Sequence, residues 1–289
     1  MGSNEHISIK RLYGIKEIPT LPDSVITVLD QSRNSDIHAR NLTEILSKDQ
    51  ELASRVLDLC NSAYYGLPRV VSSLSQAVVY LGFYTIRSLI LTCAIGRLLN
   101  TESKIYGFKD TGLWFHTVAC AIVSEIISKK THPDICTAAF TAGLLHDVGH
   151  LVIGTQLPEK TDTIEDFMVN EGVSLIQAER ETLGFSHDEA GALLAEFWRF
   201  PDELRDAIRY HHSPMESPQP SALTSIVHLA DSLVLDLGYG IELEQLKYEP
   251  QDCALQMLSL SQEELENLRQ HAEERVREHA PVFIEITQA

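Results

Sequence analysis

The sequence predicts an all-α protein, because apolar residues recur at helical spacing and helix-start signals are frequent. No segment of the 289 residues alternates convincingly between apolar and polar side chains, as a half-buried strand would. A serine followed three residues later by Gln or Glu, the capping box that marks a helix start, occurs at Ser73, Ser186 and Ser261. Pro133 and Pro201, each followed by an acidic residue, suit the first turn of a helix.

The predicted helices follow in chain order. An early apolar stripe consists of Leu42, Ile45, Leu46, Leu52, Val56 and Leu59, and residues 66–68 (GLP) close that region. Further helices are predicted at 113–130, from Pro133 to about residue 147, from Pro201 to about residue 212, and at 222–237. Residues 264–278 predict an amphipathic helix that is covered on one face by the body of the protein.

Composition changes at two places, which we interpret as boundaries. A polar connection spans 104–111, and acidic residues and glutamines dominate after Gly240. We expect an N-terminal helical subdomain at 10–110, a second helical domain at 111–240 and a C-terminal helical extension at 241–289.

Charge and hydropathy argue against nucleic-acid and membrane binding. The formal net charge is −18 and no strong basic patch appears, so a phosphate backbone would be repelled. No leader pattern is present, and the apolar segment 88–99 is too short to span a bilayer and contains Arg97. The five cysteines are widely spaced without CxxC pairs, which is typical of buried thiols in a reducing cytoplasm. We therefore expect a soluble cytoplasmic protein.

Histidines and aspartates on separate predicted helical segments are the candidate site. They are His116, His146, Asp147, His187, His211, His212 and Asp231. Brought together by a helical bundle, these side chains would have the ligand types of a centre for one or two divalent transition-metal ions. Iron or manganese is the first expectation, with zinc or nickel as alternatives, and no cysteine is counted among the ligands. In a two-ion centre, Asp147 would be the natural bridging carboxylate.

Other conspicuous residues have simpler interpretations. His150 lies one helical turn after His146 and is either a supporting group or a helix-end cation, while His228 hydrogen bonds to Asp231 or to a backbone carbonyl. The Tyr64-Tyr65 pair is interpreted as a packing anchor at a helix junction rather than a recognition element. The remaining histidines in polar or terminal stretches are expected to be solvated: His6, His38, His132, His271 and His279.

A family resemblance rests on specific motifs. Residues 144–150 (LLHDVGH) resemble the HD signature of the HD phosphohydrolase superfamily, and the order of the candidate ligands along the chain also matches. Residues 52–57 (LASRVL), 61–66 (NSAYYG), 72–78 (SSLSQAV) and 81–82 (LG) resemble the HDOD family, the HD-related output domain of bacterial signalling proteins. The resemblance runs from about Ile18 to Gly240.

The resemblance implies an N-terminal helical subdomain packed on an HD-like bundle, and a role in bacterial signal transduction. HDOD proteins are mostly regarded as non-catalytic output modules, and many lack the metal ligands of their hydrolase relatives. This chain keeps them: His116, His146, Asp147 and Asp231 match the one-metal set, and His187 with one or both of His211 and His212 matches the additional ligands of two-metal members. Residues 213–218 (SPMESP) differ from the Glu and Gly-Tyr-Pro stretch of HD-GYP phosphodiesterases, so a cyclic dinucleotide substrate is not expected.

Three functional hypotheses follow. The first is a regulatory output protein that holds a metal and binds signalling proteins. The second is a metal-dependent phosphohydrolase acting on a nucleotide or phosphoester, in which the ion activates water and polarises a phosphoryl oxygen. The third is a relic whose histidines form a hydrogen-bonded core without metal. Few basic residues lie near the candidate ligands, the nearest in sequence being Arg180, Arg199, Arg205 and Arg209.

Overall fold

The computed structural model describes residues 18–31, 39–46, 49–99, 112–240 and 252–288. The regular elements within these ranges are all helical, which confirms the predicted all-α class. The predicted boundary at 104–111, the start of the C-terminal extension, His6 and His38 lie outside the described residues. The three-part division of the chain stays a prediction.

Within the described residues, the N-terminal part has five helices, in which the predicted apolar stripe is inward-facing. They are α1 (Asp23–Gln31), α2 (Ala39–Leu46), α3 (Gln50–Cys60), α4 (Leu74–Leu81) and α5 (Phe83–Leu99). Leu42, Leu52 and Leu59 are fully buried, or nearly so. Ser73 caps α4 as predicted, accepting a hydrogen bond from the backbone N–H of Gln76.

The second part contains the helices that carry the candidate site. They are α6 (Gly112–Thr131), α7 (Cys136–Leu145), α8 (Gly149–Gln156), α9 (Thr161–Glu171), α10 (Leu175–Leu183), α11 (His187–Phe197), α12 (Asp202–Tyr210) and α13 (Ala222–Asp236). The capping box at Ser186 is present, with Glu189 as its second member. In the described stretch 252–288 two later helices follow, α14 (Asp252–Met257) and α15 (Gln262–Gln288). Ser261 and Glu264 form the predicted capping box at the start of α15.

Helix α6 lies at the centre of the second part and packs against α7, α13 and α15. It is buried on nearly all sides, as expected for a helix that is apolar all round. Helix α15 also packs against α3 and α5, so it links the two parts, and one continuous hydrophobic cluster runs from Leu21 to Phe283. The indole N–H of Trp114 donates a hydrogen bond to the Thr287 hydroxyl (2.9 Å) at this junction.

The Tyr64-Tyr65 pair packs as predicted. The Tyr64 ring makes edge-to-face contacts with Tyr65, His279 and Phe283, at ring-centroid distances of 4.9 to 5.2 Å. Its hydroxyl donates a hydrogen bond to the Glu125 carboxylate on α6. The pair therefore joins the N-terminal helices to α6 and α15.

The prediction that His279 is solvated is wrong. Helix α15 continues past residue 278 to Gln288, and His279 is only 2% exposed because Ala280 and Phe283 draw this end of the helix into the core. His271, on the solvent-facing side of the same helix, is exposed as predicted. The amphipathic prediction for 264–278 is confirmed, with Leu265, Leu268, Ala272 and Val276 buried.

Two further sequence expectations concern apolar segments and thiols. The described stretch that is long and apolar enough to cross a membrane is Pro133–Gln156, rather than 88–99, and 78% of its most apolar window is buried, as in a core helix. Cys60, Cys93 and Cys120 are buried, whereas Cys136 and Cys253 are half-buried rather than fully enclosed. No disulfide joins cysteines in the described ranges.

Candidate metal centre

The seven candidate side chains converge on one buried place, although three helices and two turns carry them. His116 and Asp231 extend from α6 and α13, and His187 is the first residue of α11. The His146-Asp147 pair lies just beyond α7, in the short turn before α8, rather than within the helix as predicted. His211 and His212 directly follow α12.

One half of the centre, the first site, is formed by His116, His146 and Asp231 with one oxygen of Asp147. His116 Nε2 lies 3.3 Å from His146 Nε2, 3.2 Å from Asp231 Oδ1 and 3.4 Å from Asp147 Oδ2. His146 Nε2 lies 3.4 Å from the same Asp147 oxygen. Ligand atoms bound about 2.1 Å from one ion at octahedral or tetrahedral angles are about 3.0 to 3.4 Å apart, so these separations fit a single ion.

The other half, the second site, is formed by His187, His211 and His212 with the other oxygen of Asp147. Asp147 Oδ1 lies 3.4 Å from His187 Nε2 and 3.6 Å from His211 Nε2. His187 Nε2 is 2.9 Å from His212 Nε2, and one ligand atom from each of the four residues lies within 4.8 Å of every other. Asp147 therefore presents one oxygen to each site, as a bridging carboxylate does.

Hydrogen bonds behind the imidazoles fix which nitrogen faces the centre. Nδ1 of His116 donates to the Tyr239 carbonyl (2.6 Å), Nδ1 of His146 to the Gly143 carbonyl (2.8 Å) and Nδ1 of His211 to the Ile208 carbonyl (2.7 Å). In each neutral ring, Nε2 is then the unprotonated atom that points inward. Such outer contacts orient metal-binding histidines and raise their basicity.

His187 differs because a carboxylate rather than a carbonyl orients it. Its Nδ1 donates to Glu179 Oε2 (2.8 Å), and its backbone N–H donates to the same oxygen (2.8 Å). Glu179 is fully buried on α10. Sequence reasoning missed it, because an acidic residue in the run 178–182 (AERET) is typical of a solvated helix face.

Two glycines allow the backbones to approach closely around the centre. A Cβ on Gly149 would lie 1.8 Å from the His187 carbonyl oxygen, so only glycine lets α8 meet the start of α11. A Cβ on Gly143 would lie 2.6 Å from the Cys120 carbonyl oxygen, which brings α7 and His146 against α6. These contacts position Asp147 between the two halves.

Charge in the centre is balanced between carboxylates and imidazoles. Burial raises the pKa of Asp147, but His146 and the neighbouring histidines outweigh it and hold the pKa well below its usual range. Burial likewise opposes protonation of His146 and His187, yet nearby carboxylates raise their pKa values to about 9 and about 10. Without metal, the carboxylates therefore stay ionised and the imidazoles beside them hold protons, so the centre favours the binding of positive charge.

The structure also decides between the alternatives that the sequence left for His150 and His228. His150 lies at the start of α8, where a cation would be unfavourable, and its ring stacks on His187 at 4.1 Å. Burial and the charge of His187 lower its pKa, so it is a neutral supporting group. His228 donates from Nδ1 to the His211 carbonyl (2.7 Å), which is the backbone alternative.

Basic side chains near the centre are paired with acids. Arg209 donates hydrogen bonds to Asp188 and Glu189, and Arg180 lies 3.5 Å from Glu189. Arg205 pairs with Asp202 and Asp206 on its own helix.

Burial distinguishes the candidate ligands from one another. Six of the seven are at most 6% exposed, and His212 alone among them is half-buried. The donor set, imidazole nitrogens with two carboxylates, fits divalent transition-metal ions. The clusters can therefore hold metal.

Comparisons with known proteins agree with this architecture. The profile of the HDOD domain family matches residues 18–214. An HDOD domain protein of unknown function from Geobacter sulfurreducens superposes with a TM-score of 0.78 at 27% identity, over 94% of both chains. A protein from Shewanella amazonensis SB2B, provisionally described as a phosphohydrolase, superposes with a TM-score of 0.72 at 27% identity, also over 94% of both chains.

A longer relative matches part of its length only. It is an uncharacterized protein of Treponema pallidum (strain Nichols), 24% identical over 234 residues, which cover 80% of this chain. The chain spans about half the length of that curated relative, 45% of it. Because the family profile covers more than half of the chain, the protein belongs to the HDOD domain family.

Proposed function

We propose that this chain is a cytoplasmic regulatory protein of bacterial signal transduction, which holds one or two divalent transition-metal ions and acts through protein partners. The expected ions are iron or manganese first, with zinc or nickel as alternatives. The proposed ligands are the seven residues that converge in the first and second sites.

The relation between His116 and His146 carries the proposal. Both rings donate from Nδ1 to backbone carbonyls, so their Nε2 lone pairs face each other at 3.3 Å. Two acceptors at that distance repel unless a cation lies between them or one of them takes a proton. Because Asp147 and Asp231 add two carboxylate oxygens at the same place, a metal ion satisfies these atoms better than a single proton.

Burial favours a regulatory over a catalytic role. Asp147 is 6% exposed and His146 is fully buried, so a substrate would have to displace protein atoms to reach the first site. Arg180 and Arg209, which a phosphate would need as partners, are paired with Asp188 and Glu189.

Metal content of the purified protein tests the proposal. We expect one to two equivalents by mass spectrometry in the wild type, and a loss of at least one equivalent in the His146→Ala, Asp147→Ala double variant. His271→Ala, which alters an exposed histidine on α15, is the matched control and should retain the metal. Equal content in the double variant and the wild type would refute the ligand assignment. So would absence of metal in every protein after reconstitution with iron, manganese and zinc.

A second candidate function is that of a metal-dependent phosphohydrolase. It is favoured because ligand atoms for one ion lie on each side of Asp147, so that the centre has donors for two ions. When bound, the ions would activate water and polarise a phosphoryl oxygen. Screening the metal-loaded wild type and Asp147→Ala against nucleotides and simple phosphoesters separates the candidates. Turnover by the wild type that Asp147→Ala abolishes would favour the enzyme, and no turnover by a fully loaded wild type would favour the regulatory protein.

A further inference from the structure

Cys120 lies beside the first site although it was not among the expected ligands. It follows His116 by one helical turn on α6, and i, i+4 side chains share a helix face. The Cys120 Sγ lies 3.6 Å from His116 Nε2. Ligand atoms of His116, Cys120, His146 and Asp231 all lie within 4.8 Å of one another, and all four residues are buried.

The separation of sulfur and nitrogen agrees with joint coordination. With a metal–sulfur bond of about 2.3 Å and a metal–nitrogen bond of about 2.1 Å, angles of about 90° to 120° at the metal separate the two ligand atoms by about 3.1 to 3.8 Å, a range that includes the observed distance. The alternative is a weak S–H···N hydrogen bond from Cys120 to His116 without any metal. Both arrangements place the thiol at the first site, so only a metal-specific measurement distinguishes them.

Close packing holds the thiol there. Gly143 on α7 lies against the Cys120 carbonyl, and its own carbonyl accepts the hydrogen bond from His146 Nδ1. The same approach of α7 to α6 therefore places His146 and Cys120 on one site.

We propose that Cys120 is a thiolate ligand of the first site, which would make the two halves of the centre chemically different. This inference rests on the proposed metal centre. The thiol proton would leave to solvent as the sulfur–metal bond forms. The first site would have a soft sulfur ligand and the second only imidazole and carboxylate, so the first would prefer zinc or iron over manganese.

Cobalt(II) loading of the 289-residue chain tests the inference by absorption rather than activity. We expect a thiolate-to-cobalt charge-transfer band in the near ultraviolet for the wild type, and its loss in Cys120→Ser. Cys93→Ser is the matched control, since Cys93 is equally buried but lies near Cys60 and Arg55, and it should keep the band. Far-ultraviolet circular dichroism checks that each variant is folded.

Each result has a defined meaning. Cobalt bound with no such band, or with a band that Cys120→Ser retains, would overturn the thiolate ligand and leave the metal centre standing. No cobalt bound to the wild type would overturn both. If Cys120→Ser does not fold, X-ray absorption of the zinc-loaded wild type decides, through the presence or absence of a sulfur neighbour at about 2.3 Å.

Discussion

Glu179 accepts two hydrogen bonds from His187, one from the backbone N–H and one from ring Nδ1, each of 2.8 Å. A buried carboxylate that holds both the chain and the ring leaves His187 a single orientation, with Nε2 directed at Asp147. Glu179 is therefore part of the support for the second site, although it is not among its proposed ligands.

The first prediction concerns this support. Glu179→Gln should weaken metal binding by about 10- to 100-fold, the range found for outer partners of ligating histidines, because the amide is a weaker acceptor for Nδ1–H. Calorimetric titration of the chelator-treated protein with manganese measures the affinity. Glu181→Gln, an exposed change on the same helix, is the control, and equal affinities of both variants and the wild type would contradict the role of Glu179.

The second prediction concerns the contact of α8 with α11. Gly149→Ala would place a Cβ 1.8 Å from the His187 carbonyl oxygen, so the two backbones must separate. We expect destabilisation of about 1 to 3 kcal/mol or more, as for other overpacked cores, and reduced metal content. Urea unfolding and mass spectrometry measure the two effects. Gln156→Ala, at the other end of α8, is the control and should change neither the free energy of unfolding nor the metal content by much. If Gly149→Ala also left both quantities unchanged, Gly149 would not lie as close to the His187 carbonyl as the structure places it.

The third prediction is a pH dependence of the metal-free protein. The pKa values of His146 and His187 are raised to about 9 and about 10, against about 6.5 in the unfolded chain. Their protonation therefore stabilises the fold fully below about pH 6.5, and this stabilisation is lost as the pH rises through about 9 to 10.

Urea unfolding of chelator-treated protein across that range should show a falling free energy of unfolding. The His146→Ala, Asp147→Ala variant should show a shallower fall, because His146, whose pKa is raised, and its main carboxylate partner are gone. Identical slopes for the variant and the wild type would assign the pH dependence to other groups.

The fourth prediction concerns Tyr64, which joins the N-terminal helices to α6 and α15 outside the metal centre. Tyr64→Phe removes the hydrogen bond to the Glu125 carboxylate and should lower the free energy of unfolding by about 1.5 to 3 kcal/mol, with metal content unchanged. Tyr80→Phe, at a more exposed tyrosine, should have little effect. Loss of metal in Tyr64→Phe would show instead that this junction shapes the centre.

Local signals explain what the sequence could predict. The capping boxes at Ser73, Ser186 and Ser261 act within a few residues, and each starts a helix in the structure. The convergence of His116 and Asp231 on the HD pair is a long-range property, and the residue types and the family resemblance, rather than periodicity, pointed to it.

Contacts between helices set the limit. Glu179 shares a face of α10 with buried Leu175 and Ala178, but the hydrogen bonds that it makes to the start of α11 depend on how the two helices pack, which the local pattern does not give. His279 was misplaced for the same reason, since its burial depends on Tyr64 and Phe283. Cys120, by contrast, carried a usable signal in its spacing of four residues from His116.

The most direct test of the central claim is a crystal structure of the manganese-soaked protein with an anomalous difference map. We expect one or two peaks beside Asp147, and if both sites are filled the two peaks should lie about 3.5 to 4 Å apart, one on each side of its carboxylate. A map without peaks at Asp147, with the imidazoles hydrogen bonded to one another instead, would contradict it.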